Sequence, residues 1–202
     1  MMPDRFKWQQ VQTEYREVRA SKYSEELRWI VNRETILDTA TGEIILRGIL
    51  RHPGICVIVP FLDSDRILLM HQYRYAADDV LWELPAGTLN GRLEGERVRA
   101  IESPESCARR ELREETGYEA FHWEKLGECY TMPGTSDEIM HFFLARELVL
   151  RGQSLDAGEV IDEVRPIAMS EIHAMIGRGQ IRDAKTLVGL LHAFRHGSSR
   201  EK

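Results

Sequence analysis

Glu102-Ser103-Pro104-Glu105-Ser106-Cys107-Ala108-Arg109-Arg110-Glu111-Leu112-Arg113-Glu114-Glu115-Thr116-Gly117-Tyr118 is the stretch whose reading decides the fold of this 202-residue chain. Ser103 followed by Pro104 is a helix start: a hydroxyl at the N-cap, then proline at the first helical position, where the missing N–H costs little. Gly117 is a natural stop, because glycine takes the left-handed cap conformation without strain. Between them the sequence predicts a helix of about thirteen residues. Glu111 and Glu115 are four apart, so their carboxylates share one face, taken from the sequence as a solvent-facing side. Glu114 flanks them, and Arg110, four residues before it, is placed to hold its carboxylate. A Glu/Arg-rich helix is ordinarily a solvated, salt-bridged surface element. Like charges at this spacing destabilise a helix unless something positive lies between them. Hard oxygen ligands suit Mg²⁺ or Mn²⁺ rather than zinc or copper.

The spacing points past the ordinary reading. Glu102, seven residues, then Arg110-Glu111-Leu112-x-Glu114-Glu115-x-Gly117-Tyr118 resembles the second part of the Nudix box, G-x5-E-x7-R-E-U-x-E-E-x-G-U, in which U is a bulky apolar residue. Every fixed position from Glu102 onward matches, and the first glycine does not, because Glu96 stands where it belongs. Gly87, in Leu84-Pro85-Ala86-Gly87, is the better candidate, with fourteen residues before Glu102 where the box has five. Thr88 to Ile101 is therefore expected to be a loop with a nine-residue insertion, carrying Arg92, Glu94, Glu96, Arg97 and Arg99. A solvated excursion is its plain reading, and a lid or dimer contact the alternative. Gly95 is the rival glycine, off by one and lacking the Pro-Ala-Gly run.

Composition bounds the rest. The chain can bury a substantial core as one domain with a small appendage. A net charge of −6 gives no basic footprint, which argues against nucleic acid as a partner. An acidic chain that handles an anionic substrate needs cations locally, from a bound metal and a few arginines. Cys56, Cys107 and Cys129 are odd in number and lack Cys-x-x-Cys spacing, so free thiols in a reducing cytoplasm are expected. The N-terminus has no apolar signal-like region and no run approaches membrane-spanning length, so no membrane association is expected.

Along the chain, residues 1–22 are polar and mixed, with partial disorder expected. Strands are expected at Leu27–Val31, Thr35–Leu37 and Glu43–Leu46, forming a small antiparallel unit too slight to stand alone. Ile55–Val59 is continuously apolar, as in a strand buried on both faces, and Arg66–Met70, after the Asp63-Ser64-Asp65 turn, is expected as its hairpin partner. Further strands are expected at Trp123–Tyr130, Ile139–Ala145 and Val160–Ala168, with mobility at 151–159. Ser170 is the expected cap of a short helix to Ile176. Asp183 is the expected cap of a final one, with Leu187, Leu190, Leu191 and Phe194 on its docking face. The expected domains are 1–50, a tail with antiparallel strands, and 51–202.

The Nudix resemblance implies an α/β fold, an α/β/α sandwich around a mixed sheet, with the small N-terminal β unit added. A wider resemblance, from about residue 25 to 196, is to the ADP-ribose pyrophosphatase branch. Gln72-Tyr73-Arg74 with Trp82-Glu83-Leu84-Pro85-Ala86-Gly87, Pro133 fifteen residues after Tyr118, and Gly179 to Thr186 carry it. It implies a Mg²⁺-dependent (Mn²⁺ also suitable) diphosphatase, cleaving ADP-ribose to AMP and ribose 5-phosphate. The alternatives are another nucleoside diphosphate sugar, such as GDP-mannose or ADP-glucose, and a catalytically silent ligand sensor. It further implies metal ligation by Glu111, Glu115 and Glu114 with the carbonyl of Ala86, and substrate contacts from Arg74, Glu83, Pro133, Gly134 and Glu138. The general base should be an acid of the Glu159-Val-Ile-Asp162-Glu163 run, Glu163 and Glu159 ahead of Asp162. Trp29 and Tyr73 are candidate walls for adenine. Family dimers that swap N-terminal strands imply a homodimer.

Overall fold

The computed structural model describes residues 8–19, 27–153 and 161–198. In chain order the elements begin with β1 (Trp8–Arg19), β2 (Leu27–Asp38), β3 (Ile44–Arg51), β4 (Ile55–Pro60), β5 (Arg66–Arg74), β6 (Asp79–Glu83) and β7 (Ala86–Thr88). Then come β8 (Gly91–Glu94), β9 (Arg97–Ala100), α1 (Pro104–Thr116), β10 (Tyr118–Tyr130), β11 (Ile139–Leu150), β12 (Ile161–Ala168), α2 (Met169–Gly177) and α3 (Ala184–Ser198). The chain divides into two compact units, and the first gathers Met1–Gly54, Leu89–Glu102 and Tyr130–Ile139.

The first unit is built on β2. This one strand replaces the two expected at 27–31 and 35–37, because it runs antiparallel between β1 and β3 and both neighbours hydrogen-bond along it. β1 itself is a correction to the disorder expected in residues 1–22; the rest of that stretch lies outside the described residues. The insertion is not a loop. It is the hairpin β8–β9, joined to β2 where Leu27 pairs with Gly91. Leu93 and Val98 face each other across that hairpin and pack on Ile30. Gly95 sits in its tight turn at φ 62. Only two apolar residues drive this hairpin, too few to stand out among its charges. On the inner side of β2, buried Glu34 accepts from Arg51 (2.8 Å), which also reaches Asp137 (3.2 Å). Val31, Ile44 and Leu46 are exposed, and the register puts them on one face of β2–β3.

In the second unit all six residues of β4 are buried. β4 runs parallel to β11 and antiparallel to β7, in the order β10-β11-β4-β7, so the sheet is mixed. The continuous apolar run follows from cover on both faces. Cys56 meets Cys107 of α1 (Sγ–Sγ 3.3 Å), while Val57 and Val59 join the core with Leu190 and Ala193 of α3. Burial, reinforced by the neighbouring Cys107, pushes the Cys56 thiol well up, so this pair is apolar packing rather than a reactive site. β5 is not the hairpin partner of β4: one bridge, Phe61 to Ile67, links the turn, and β5 then pairs with β6 and β12 in a separate sheet. Ala168, not Ser170, is the N-cap of α2, with no side-chain cap bond. Of the expected docking face of α3, Leu187, Leu190 and Phe194 pack on the core with Thr186 and Ala193 buried beside them, whereas Leu191 is 57% exposed.

Candidate active site

The helix α1 forms as its caps dictate. Ser103 Oγ accepts from the Ser106 N–H, and Gly117, at φ 78, donates its N–H to the Arg113 carbonyl. Its buried face is Cys107, Ala108, Glu111, Leu112, Glu115 and Thr116. The two acids therefore do not look to solvent as expected: Glu111 is 6% and Glu115 2% exposed. Buried carboxylates persist only when paired or hydrogen-bonded. Arg110 Nη1 donates to Glu111 (2.7 Å) and to Glu114 (2.9 Å), and Glu115 Oε2 accepts from the Ala86 N–H (2.9 Å).

Gly87 explains how the acids reach the β7 turn. A Cβ built there would lie 1.9 Å from the Glu111 carboxyl, so only glycine lets that carboxylate rest against the backbone. This close approach identifies Gly87, not the turn residue Gly95, as the glycine that serves the helix acids. Gly87→Ala is expected to displace the Glu111 carboxylate and lower turnover about 100-fold, the usual cost of an ångström-scale misplacement. Steady-state kinetics beside a thermal melt will separate this from unfolding.

The donor set fits a hard divalent cation: two buried carboxylates and the half-exposed Glu114, all oxygen, with Glu115 held at Ala86. Among the described residues no three acids already stand at chelating distance. Arg110 lies between Glu111 and Glu114 and supplies the positive charge there.

A second charged group stands on the strands. Glu83, at the end of β6, is fully buried. Arg74, at the end of β5, grips it with two bonds, Nε to Oε1 (2.8 Å) and Nη2 to Oε2 (2.6 Å). Lys185 Nζ lies 3.4 Å from Glu83 and 2.6 Å from Asp183. Those bonds to Glu83 hold Arg74 above its ordinary value against its burial, with the charges of Glu115 and Asp183 adding to the effect, so it is always cationic. Burial pushes the Asp183 carboxyl up, but Lys185 and the Thr186 hydrogen bonds outweigh it and hold it below its ordinary value. Asp183 caps α3 as expected, accepting from the Thr186 N–H (2.9 Å), while Thr186 Oγ1 accepts from the Leu84 N–H (2.8 Å). The start of α3 is thus tied to the chain beside Glu83.

A NUDIX domain model matches residues 50–188, more than half of the chain. The chain belongs to the Nudix family. The Bacillus subtilis ADP-ribose pyrophosphatase is 34% identical over 152 residues, 74% of this chain and 77% of that one. The Yersinia enterocolitica GDP-mannose pyrophosphatase is 36% identical over 156 residues, 73% of this chain and 76% of its own. A crystal structure of an ADP compounds hydrolase superposes with a TM-score of 0.71, covering 96% of each chain at 16% identity, which is a likeness of fold.

Within this Nudix chain the structure brings together Arg74 with Glu83, Ala86 with Glu115, Gly87 with Glu111, and Glu114 with Glu111 through Arg110, all in the second unit. Pro133, Gly134 and Glu138 lie in the first unit. There Glu138 is 3.4 Å from His52, and Pro133 lines a small hollow with Tyr130 and Arg51. Glu159 lies outside the described residues. Asp162 falls at a bulge in β12, 3.8 Å from His71, and Glu163 is opposite His71 and 3.9 Å from Arg165. By strand alternation Glu163 shares the face of His71 and Trp82, not that of Arg74 and Glu83, and Asp162, at the bulge, turns to the same His71. Trp29 stacks on His52, and the Tyr73 hydroxyl bonds Asp78. Lys185 is the site residue that sequence reading passed over; the Asp183-Ala184-Lys185-Thr186 run was its signal.

Proposed function

We propose that this protein hydrolyses the diphosphate bond of ADP-ribose to AMP and ribose 5-phosphate, with Mg²⁺ (Mn²⁺ also suitable) held by Glu111, Glu115, Glu114 and the Ala86 carbonyl. The observation that carries this is the packing of the buried Glu111 and Glu115 carboxylates against the Ala86–Gly87 turn. A divalent ion held by these residues would supply neutralisation of phosphate charge and a lowered water pKa for attack at phosphorus. Arg74 spends one edge of its guanidinium on Glu83 and offers the other to the diphosphate. Glu83 orients that fork. Substrate contact by Pro133, Gly134 and Glu138 rests on their resemblance to the family branch.

The water's proton goes to an acid of the 159–163 run. Glu163 lies on the strand face of Trp82, away from Arg74, and Asp162 turns to His71 on that face, which favours Glu159. Glu159→Gln is expected to lower kcat by about 10²–10⁴, and Glu163→Gln to change it less than a few-fold. The reverse ordering would hand the role to Glu163.

GDP-mannose is the second reading, because the Yersinia relative carries that name. Competing the two sugars for one enzyme sample, with kcat/KM measured for each, decides between them. A preference for ADP-ribose is expected.

A homodimer, in which a second copy covers this face, is supported by the exposed apolar residues Val31, Ile44 and Leu46 on one side of β2–β3. Ile44→Glu with Leu46→Glu is expected to halve the mass in light scattering, and an unchanged mass would place the contact elsewhere. A cytoplasmic setting is supported by three cysteines that are all free. No helix among the described residues is long and apolar enough to cross a membrane.

A further inference from the structure

The solvent side of α1 carries a cavity that borders the acid cluster and extends beyond it. Arg109, Arg110 and Arg113 line an open cavity of about 660 Å³, facing Phe121 and Trp123 of β10. Its size is that of a small-molecule site, typically about 300–1,000 Å³. Three guanidiniums against Glu114 and Glu119 leave the lining net positive, within a chain whose own charge is −6. Arg110 is tied to Glu111 and Glu114, whereas Arg109 and Arg113 are held by exposed pairs. Arg109 pairs with Glu105 (2.7 Å) and Arg113 with Glu119 (3.5 Å), with side chains 49–61% exposed, and such exposed pairs yield readily to a better anion. A phosphate accepts two parallel bonds from a guanidinium and is that anion.

The aromatic half of the cavity is equally specific. Trp123 donates its indole N–H to the Ala120 carbonyl (2.9 Å) and meets Phe143 edge-on, so its plane is set. The Arg109 guanidinium lies over the ring, 4.9 Å from its centre. Phe121, which lines the same cavity, is 63% exposed and so open to a ligand. Flat cationic and aromatic surfaces side by side suit a ligand with a phosphate at one end and a planar ring at the other.

We propose that this cavity is a second, non-catalytic site for a nucleoside monophosphate, with the phosphate between Arg109 and Arg113 and the base against Phe121 and Trp123. The choice of AMP as the probe rests on the proposed reaction, which releases it; the site itself does not. Arg110 and Glu114 line the cavity and also belong to the acid cluster, so occupancy reports directly to the catalytic face.

The test is calorimetric titration of AMP into the metal-free protein in EDTA, where a failure of hydrolysis leaves the measurement intact. Binding is expected in the wild type and in Arg74→Met. The Arg109→Ala/Arg113→Ala pair and Phe121→Ala are each expected to weaken it at least about tenfold. Inorganic phosphate is expected to bind at least about tenfold more weakly than AMP, because it lacks the ring. Both arginines and Phe121 are exposed, so these variants should fold. No heat with AMP, loss of binding only in Arg74→Met, or equal affinity for inorganic phosphate would each overturn the proposal.

Discussion

Glu115→Gln is expected to lower turnover by more than about 100-fold while leaving the fold as stable as before. Residues that merely support a metal ligand cost about 10–100-fold when removed, so a direct ligand should cost more. Glutamine keeps an oxygen for the Ala86 N–H, so the turn before Gly87 stays in place. It also removes one of two buried negative charges on the same helix face, which relieves repulsion in the absence of metal. Turnover and a metal-free melt on the same preparation read both effects. A variant that keeps more than a tenth of its activity would make Glu115 a structural acid and shift ligation to Glu111 and Glu114.

Arg74→Met is the second large effect, and it acts on stability and activity together. It leaves Glu83, fully buried, facing only the more distant Lys185 ammonium at 3.4 Å among the described residues. Breaking a buried pair from one side usually costs about 3–5 kcal/mol. Arg74 is 37% exposed and Lys185 remains, so about 2 kcal/mol is expected here. For a chain of this size that lowers Tm by roughly 4–8 °C. Activity should fall further than stability explains, since the diphosphate loses its bidentate partner. Arg74→Lys should recover part of the stability and little of the activity, because an ammonium cannot grip Glu83 and a phosphate as a planar fork does. Equal recovery of both would reduce Arg74 to a charge.

The acid helix was legible because its signals are local. Ser103, Pro104 and Gly117 mark its ends through hydrogen bonds within one turn, and the structure puts its limits at Pro104 and Thr116. Arg74 and Glu83 were legible as a pair only through the family resemblance, since a cross-strand contact has no spacing signature in the sequence. Burial of Glu111 and Glu115 was misread for a related reason. Amphipathic reasoning sends carboxylates outward, and what draws these two inward is Gly87, Ala86 and Arg110, parts of the chain that meet the helix face only on folding. The β8–β9 hairpin was missed because its apolar content is two facing residues, Leu93 and Val98, that gain a core only from Ile30 far earlier in the chain. The strand β2 was cut in two because the polar run Asn32-Arg33-Glu34 interrupts its apolar pattern, yet Asn32 and Glu34 are buried and bonded to each other.

One measurement bears on the central claim most directly: chromatography of the products when purified protein meets ADP-ribose with Mg²⁺, and again after EDTA. The account predicts equal amounts of AMP and ribose 5-phosphate with Mg²⁺ and no turnover once the ion is removed. Intact ADP-ribose in both samples, with the ligand still bound, would contradict it and make the buried acids part of a sensor rather than of an enzyme.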